Sequence, residues 1–393
     1  MAAEIERIIP GFARVTYPDW AALFESFWDR APASTVLALD EFPALVWAAS
    51  EVPSLLQKMV DRHQRERIHL VLSGSSQRMM HGLVLDRTAP LYGRAREILK
   101  ITPLRAGWAP KGLALRNPIA AIEAYAVWGG IPRYWELARN HPDLGSAIRE
   151  LVLSPLGVLY EEPAGLLLDD LRDTTQAASI LALIGAGCHR ISEIAARLQK
   201  PVTSLSRPLQ RLCELGLVRR EVPSGSSECD SKRTLYRISD PFLRFWFRFV
   251  EPNRSRLEAR RVDRVSADIA CDFPHHVGSV WEELARESVP LLGCGGYEWK
   301  PARRWWGPGK DRQPMEIDVV AESEDGEAIL VGEAKWSKTH SPAVTVAALR
   351  RKAERLPQLS GRRLVLALWL RSGPKQVDGV RIYTPADVLR KLR

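Results

Sequence analysis

The sequence lacks the features that mark disulfide-stabilised, zinc-ribbon and membrane-spanning proteins. It has 5 cysteines. Their number is odd and none is spaced as Cys-x-x-Cys, which argues against a disulfide framework and a zinc ribbon. The longest strongly apolar run, Leu364 to Leu370, is far shorter than the ~20 residues of a transmembrane helix, and the first residues contain no apolar signal core. We therefore expect a protein of the reducing cytoplasm without membrane attachment.

The composition argues against a disordered or collagen-like chain and predicts several folded domains. Hydrophobic residues make up 46% and charged residues 26% of the 393 residues, which is typical of globular proteins. At about 150 residues per domain, two or three domains are expected. The pattern of elements predicts an α/β fold with domains at residues 1–165, 170–250 and 265–393.

Positive charge is concentrated near the C-terminus. The net charge is +9, and residues 338–393 contain 13 Lys or Arg but 3 Asp or Glu. This segment therefore accounts for the whole excess of positive over negative charge. Arg350, Arg351, Lys352 and Arg355 lie on or near one predicted helix. Such a basic surface favours a polyanionic partner such as DNA. A solvated charged helix face would give the same pattern.

The first region alternates short apolar runs with helical stretches. Val36–Asp40 and Ile68–Ser73 are near-continuous apolar runs, typical of parallel strands that are buried on both faces. Pro53–Glu66 between them is predicted to be a helix, and Arg96–Ile101 to be a third strand. The sequence therefore predicts a parallel sheet in this region.

The second region predicts three helices followed by two strands that are joined by a polar loop. The helices are 175–184, 191–198 and 203–215, and the strands 217–222 and 234–238. This order is that of a winged helix-turn-helix, which places its third helix in the major groove of DNA. Pro208 suggests that the third helix begins late, with Ser206 as its N-cap. The alternative is a module that only packs between domains.

Polar side chains that suit contacts with bases and phosphates lie on the third helix and in the wing, which is formed by the two strands and the loop between them. We predict DNA contacts from Thr203, Ser204, Ser206, Arg207, Gln210, Arg211, Lys232 and Arg233. An aromatic run, Phe242, Phe245, Trp246, Phe247 and Phe249, has the spacing of a buried helix face rather than of a base-stacking surface.

The third region has the order α-β-β-α-β and carries an acidic constellation. Asp318 lies in the strand Glu316–Val320, and Glu333 and Lys335 lie in the next strand, Ala328–Lys335. Residues two apart in a strand point to one face, so Glu333 and Lys335 emerge together. If the two strands form a hairpin, Asp318 joins them. Two carboxylates can hold magnesium, and a lysine beside them can orient water.

This arrangement resembles that of the PD-(D/E)XK nucleases, whose preceding helix supplies another acid. The resemblance implies Asp318 and Glu333 as metal ligands, Lys335 as the water-handling group and Glu282 as an auxiliary acid. It implies a small restriction-endonuclease-like α/β domain that hydrolyses phosphodiesters with magnesium. Folds of this kind also serve as passive DNA-binding modules, which is the alternative.

A second acidic pair, Asp40 and Glu41, follows the first apolar strand, and Ser73–Ser76 follows the second. In nucleotide hydrolases the first acid serves the magnesium shell, the second polarises water, and a polar residue such as Ser75 contacts the γ-phosphate. With these segments the chain resembles the archaeal-type ATPases of the AAA+ class. The motifs that carry the resemblance are 37–43, 72–76, 90–94, 128–134, 215–223, 235–246 and 332–336.

The resemblance implies ATP as a ligand and a phosphate loop of the form G-x-x-x-x-G-K-[ST]. No glycine of the sequence begins such a motif. Without that cradle of backbone N–H groups and its lysine, most triphosphate affinity is lost. We therefore expect a truncated ATPase domain that does not hydrolyse ATP at a useful rate. Three hypotheses stay open: a DNA-associated nuclease-like protein, a non-enzymatic DNA-binding regulator or scaffold, and an ATPase whose phosphate loop is missing from this reading frame. The sequence also leaves a homo-oligomer open.

Overall fold

The computed structural model describes residues 1–62, 68–170, 173–227, 233–339, 341–359 and 361–393. The chain forms two compact units, Met1–Ile101 and Thr102–Arg393. Both contain helices and strands, so the predicted α/β class is confirmed in its general form. Parallel pairing occurs in each unit, and the second unit also contains antiparallel pairs.

The first unit contains a parallel pair of strands with helices beside it. Its helices are α1 (Ala2–Ile5), α2 (Trp20–Arg30), α3 (Phe42–Ala48), α4 (Val52–Arg62) and α5 (Gln77–Met80), and its strands are β1 (Thr35–Leu39) and β2 (Ile68–Leu72). Thr35 lies opposite Ile68 and Leu39 opposite Leu72. Residues from α2, β1 and α4 form its core, including Phe24, Leu37 and Leu56.

Two expectations for this unit are wrong. The strands are buried on one face rather than on both, since Val36 and Val71 are exposed while Leu37 and Leu39 are buried. The segment 96–101 is not a strand, and its apolar side chains, Ile98, Leu99 and Ile101, are largely exposed. An apolar run becomes a strand only where a neighbouring strand can pair with it, and in the described part of this unit β1 and β2 pair with each other.

The second unit begins with helices that pack into one apolar core. They are α6 (Ala109–Gly112), α7 (Pro118–Trp128), α8 (Pro132–Ala138), α9 (Leu144–Ile148), α10 (Glu162–Asp170), α11 (Thr174–Gly185), α12 (Ile191–Leu198) and α13 (Val202–Glu214). An antiparallel pair follows, formed by β3 (Val218–Glu221) and β4 (Leu235–Ile238), with Val218 opposite Ile238. The three predicted helices and two predicted strands of this region are therefore present.

Proline 208 lies inside α13 instead of marking its start. The helix begins at Val202, so the expected N-cap at Ser206 is wrong. The helix accommodates the proline because Leu205, Leu209 and Leu212 are buried against the same core. Packing of this apolar face outweighs the loss of one backbone hydrogen bond.

The rest of the second unit is a mixed sheet between helices. Its elements are α14 (Pro241–Phe245), α15 (Arg254–Glu258), α16 (Val262–Leu292), β5 (Arg303–Pro308), β6 (Pro314–Glu322), β7 (Ala328–Lys335), α17 (Pro342–Glu354), β8 (Arg363–Leu370), β9 (Gln376–Val377), β10 (Val380–Tyr383) and α18 (Pro385–Lys391). Among the described residues the strand order is β5-β6-β7-β8-β10-β9. The pairs β7–β8 and β8–β10 are parallel and the others antiparallel.

Helices α16 and α17 cover opposite faces of this sheet. On one face the Trp281 indole N–H donates to the carbonyl of Trp369 at 3.0 Å, and the Trp369 indole N–H donates to Ser288 Oγ at 3.1 Å. On the other face Leu349 and Ala353 of α17 pack with the sheet residues. Burial of these large side chains holds the strands in register.

The aromatic run after β4 is core, as the sequence predicts. Phe242, Phe245, Trp246, Phe247 and Phe249 are all buried. Trp299 and Trp305 are also buried, so their rings do not form a stacking surface for bases. Trp305 belongs to β5, a strand that the sequence pattern did not predict.

A buried ionic cluster joins α16 to the preceding module. The carboxylate of Glu283 accepts from the guanidinium groups of Arg219 in β3 and of Arg244 in α14, the latter through Nη2 at 2.9 Å. Arg244 Nη1 lies 2.7 Å from Glu283 Oε1 and forms an ion pair with it. Burial alone would raise the pKa of Glu283, but the two guanidinium groups lower it well below its usual value. The cluster therefore fixes α16 against β3 and α14.

Candidate functional site

Asp318 lies at a β-bulge in strand β6. Trp305 of β5 pairs with Ile317, and Arg303 pairs with Val320. Two steps along β5 thus match three along β6, so β6 has one extra residue between Ile317 and Val320. Bulges of this kind occur next to active sites, where they re-aim a side chain. Here the Asp318 carboxylate accepts the backbone N–H of Ala334 in β7 at 3.0 Å.

The structure brings Asp318, Glu333 and Lys335 together. The ammonium nitrogen of Lys335 is 2.7 Å from Glu333 Oε1 and 3.8 Å from Asp318 Oδ2. Asp318 is 7% and Glu333 6% exposed. Burial, and then the charge of Glu333, raises the pKa of Asp318. Although burial works in the opposite direction, the two carboxylates raise the pKa of Lys335. The three side chains thus form one electrostatic unit.

Glu282 joins this unit from the opposite layer. It lies on α16, where burial and then the charge of Asp318 raise its pKa to about 7. Arg286, one turn further along α16, donates to the backbone carbonyl of Asp318 at 2.8 Å. A carboxyl group whose pKa is close to neutrality can hold or release a proton under ordinary conditions.

Lys352 also belongs to this site, although the sequence pattern predicts it to lie on a basic surface. Its ammonium nitrogen lies 3.1 Å and 2.9 Å from the two oxygens of Glu333. Arg355 of the same predicted surface pairs with Asp311 at 2.7 Å. The sequence could signal that α17 is basic, but not that Lys352 contacts a carboxylate of β7, because that contact depends on how the helix lies on the sheet.

The donor set fits a hard divalent cation. Carboxylate oxygens are the ligands that magnesium prefers. Burial, and then repulsion from a neighbouring carboxylate, raises the pKa values of Asp318 and Glu282, and a bound cation would offset that repulsion. As the side chains stand, no three Asp, Glu, His or Cys groups in the described ranges are arranged to hold a metal ion. Instead, Lys335 places its positive charge beside both carboxylates.

A basic cavity lies beside these acids. Its volume is about 360 Å³, and its lining includes Arg220 of β3, Arg286 of α16, Arg303 and Arg304 of β5, and Trp306. Arg286 and Arg304 both act on Glu282, since their charges lower its pKa. The cavity is therefore lined by strand β3 and by Arg286, whose guanidinium group also contacts the backbone of Asp318, and it could receive an anionic substrate.

Six of the eight side chains predicted to contact DNA lie on helix α13. Thr203, Ser204, Ser206, Arg207 and Gln210 are exposed, and Arg211 is half-buried. Three of them already have partners: Ser204 Oγ donates to the Pro201 carbonyl, and Gln210 and Arg211 donate to Glu214. Arg233 donates to Ser226 Oγ at 3.1 Å. Lys232 lies outside the described residues.

The acidic pair of the first unit is held by serine hydroxyls. Ser73 Oγ donates to Asp40 Oδ1 at 2.6 Å, and Ser75 Oγ donates to Glu41 Oε2 at 3.2 Å. Glu41 has a φ of 48°, a left-handed conformation that costs free energy in a residue with a Cβ. The acids that follow β1 and the serines that follow β2 are thus adjacent, as the sequence predicts. Both acids are exposed.

In the part of the chain that the structure describes, no helix combines the length and the apolar character that a bilayer crossing requires.

Comparison with known proteins identifies relatives without an assigned activity. A family described as archaeal and bacterial proteins of unknown function, DUF234, matches residues 246–348. This range includes α16, β5, β6 and β7, and therefore Glu282, Asp318, Glu333 and Lys335. An uncharacterized protein of Methanocaldococcus jannaschii, MJECL04, is 30% identical over 331 residues, which cover 81% of this chain and 70% of the relative.

Proposed function

We propose that this chain, which belongs to the same family as the uncharacterized protein MJECL04 of Methanocaldococcus jannaschii, is a DNA-associated protein with a magnesium-dependent phosphodiester-cleaving site. The observation that carries the proposal is the convergence of Asp318, Glu333 and Lys335. The Asp318 carboxylate contacts the backbone of β7, and Lys335 lies within 3.8 Å of both carboxylates. This convergence supports the resemblance to the PD-(D/E)XK nucleases.

Each residue has a role that follows from its surroundings. Asp318 and Glu333 would hold the magnesium ion, and the chemistry that a bound ion supplies is polarisation of the phosphate and a lowered pKa of coordinated water. Lys335 stays charged, because the carboxylates raise its pKa, and so it can orient water and stabilise a phosphate oxygen. Glu282, with a pKa raised to about 7, can accept a proton from that water.

Two surfaces support DNA as the substrate. The helices α11 to α13 with the strands β3 and β4 have the element order of a winged helix-turn-helix, and α13 presents Thr203, Ser206 and Arg207 to solvent. The basic cavity beside Glu282 offers guanidinium groups from the wing strand and from β5. Guanidinium groups recognise phosphates, so one DNA molecule can engage both surfaces.

The test is cleavage of supercoiled plasmid by the full-length chain with and without magnesium. We expect nicking that depends on magnesium and falls at least about 100-fold in Glu333→Gln and in Lys335→Met, because each loses a group that acts on the reacting phosphate. Glu324→Gln is the matched control, since Glu324 is exposed on the β6–β7 turn. Nicking that survives both site variants would contradict the assignment.

One observation favours a second function, DNA binding without cleavage. Both oxygens of Glu333 are already engaged by Lys352, and Lys335 neutralises it further. A carboxylate with two ammonium partners has less need of a metal ion. In that case the chain binds duplex DNA with a steep dependence on salt, Arg207→Ala reduces the slope, and no nicking appears with any divalent metal.

A further inference from the structure

The mixed sheet of the second unit has a notch at one side of β8. This strand pairs with β7 along its whole length, from Arg363 to Leu370. It pairs with β10 only at Ala367, Leu368 and Trp369. Before Ala367, β8 therefore has no strand on its β10 side in the described part of the chain. A cavity of about 620 Å³ lies at this place.

The backbone of two residues faces the notch. The N–H of Arg363 donates to the carbonyl of Glu327, at the start of β7, at 2.8 Å. Because the backbone groups of a strand alternate between its two sides, those of Leu364 and Leu366 point away from β7, towards the cavity. Two residues are too short an edge for a peptide strand, which normally spans three residues or more. The edge suits a small molecule instead.

Three arginines surround the same cavity. Arg350 comes from α17, Arg363 from the start of β8 and Arg381 from β10, and all three are exposed. Arg350 donates to the carbonyl of Asp378 at 2.9 Å, and Arg363 donates to the hydroxyl of Tyr297 at 3.4 Å. These partners are neutral groups, so they leave the positive charge in place. Asp378 is the one acidic residue in the lining.

Apolar side chains and glycines form part of the remaining walls. Val365 and Val380 line the cavity together with the glycine-rich turn that follows α16. Gly295 of that turn has a φ of 63°, and a Cβ at this position would lie 2.9 Å from Val365 Cγ1. The turn thus lies directly against β8. Tyr297 adds an aromatic ring near Arg363.

We propose that this notch binds a free nucleoside phosphate. A volume of 620 Å³ is within the ordinary range of small-ligand sites, roughly 300–1,000 Å³. The arginines suit a phosphate, since guanidinium groups bind its oxygens in pairs. The N–H and C=O groups of Leu364 and Leu366 match the donors and acceptors on the edge of a nucleobase, and the apolar walls cover its faces.

The site is separate from the acidic one and does not depend on the function proposed for it. Lys335 pairs with Leu370 at the opposite end of β8. Leu366 and Leu370 are four residues apart, which is roughly 13 Å along a strand. The nucleotide would thus bind to the same sheet as the acidic site but at its other end, where it can regulate or report on that site without taking part in its chemistry.

The experiment is calorimetric titration of the full-length chain, without magnesium, with AMP, ADP, ATP, GTP and inorganic phosphate. We expect binding of at least one nucleotide, and no comparable binding of phosphate alone. Arg363→Gln and Arg381→Gln should each weaken binding by about 10- to 100-fold, the usual loss for one charge-assisted contact. Arg390→Gln, which changes an exposed arginine that pairs with Asp387 on α18, should leave it unchanged.

Four outcomes would overturn the proposal. The first is the absence of nucleotide binding at millimolar concentration, and the second is binding that survives the double variant Arg363→Gln/Arg381→Gln. The third is inorganic phosphate that binds as tightly as the nucleotides. The fourth is a short single-stranded oligonucleotide that binds more tightly than any mononucleotide and loses affinity in the same arginine variants. The second outcome would direct the search to Asp40 and Glu41, and the last to a nucleic-acid contact.

Discussion

The two units of this protein use carboxylates in opposite environments. In the first unit Asp40 and Glu41 follow an apolar strand, are exposed, and accept hydrogen bonds from serine hydroxyls. In the second unit Asp318 and Glu333 are buried and lie beside lysines. In both units the sequence shows the same local pattern, an acidic residue in or directly after an apolar strand. Burial and neighbouring charge decide which of them gains unusual chemistry.

The largest effect on stability should come from the buried acids. Glu283→Ala removes the carboxylate that Arg219 and Arg244 share, while Arg219 keeps its pairing with Glu221. We expect the change to lower the free energy of unfolding by about 3–5 kcal/mol. Asp40→Ala, which changes an exposed acid of the first unit, should cost less than about 0.5 kcal/mol. Chemical denaturation followed by tryptophan fluorescence measures both. Equal losses of unfolding free energy in the two variants would show that the acids of the two units do not differ in their contribution to stability.

The same carboxylate should make the second unit sensitive to acid. Since the folded-state pKa of Glu283 is lowered, its contribution to stability is fully present above the usual glutamate pKa of about 4.3. It is lost as the pH falls below that value towards the folded-state pKa. Unfolding titrations between pH 7 and pH 3 should therefore show a steep loss below pH 4.5. In Glu283→Gln this part of the pH dependence should be reduced, and an unchanged profile would refute the assignment.

A smaller effect is expected from Lys352. Lys352→Met removes one of the two ammonium groups beside the buried Glu333, and we expect a loss of about 1–3 kcal/mol in the free energy of unfolding. Arg351→Met is the matched control, because Arg351 is the exposed neighbour on the same helix. Thermal and chemical unfolding compare the two variants. If Arg351→Met lowers the free energy of unfolding by as much as Lys352→Met, the loss comes from a change in helix α17 and not from the missing ion pair.

The smallest effect is expected at the exposed acids of the first unit. The sequence contains no G-x-x-x-x-G-K-[ST] segment, so we expect no ATP turnover by the purified chain above the uncatalysed background. Glu41→Gln should then change nothing in a phosphate-release assay. Clear ATP-dependent turnover that Glu41→Gln abolishes would refute this prediction and move the chemistry of the protein to the first unit.

Local sequence patterns predicted a large part of the second unit. Helix α12 and strand β7 have the predicted bounds. Helix α11 and strand β6 extend the predicted ranges by one and two residues at each end, and helix α13 is shifted by one residue. Periodicity is a local property, so these elements could be read from neighbouring residues. Strand β5 was missed, because its paired tryptophans show no alternation and its pairing with β6 depends on tertiary contacts. The segment 96–101 was overpredicted for the converse reason, since its apolar residues have no such neighbour.

The sequence by itself determined that Glu333 and Lys335 share one face of a strand, because side chains alternate along extended backbone. It also determined which residues are acids, bases and helix formers. Only the tertiary structure decided that the Asp318 carboxylate accepts from the backbone of β7, that Lys352 reaches Glu333, and that burial beside Asp318 raises the pKa of Glu282 to about 7. Desolvation and Coulomb interactions depend on distances between segments far apart in the chain, and those distances exist only after folding.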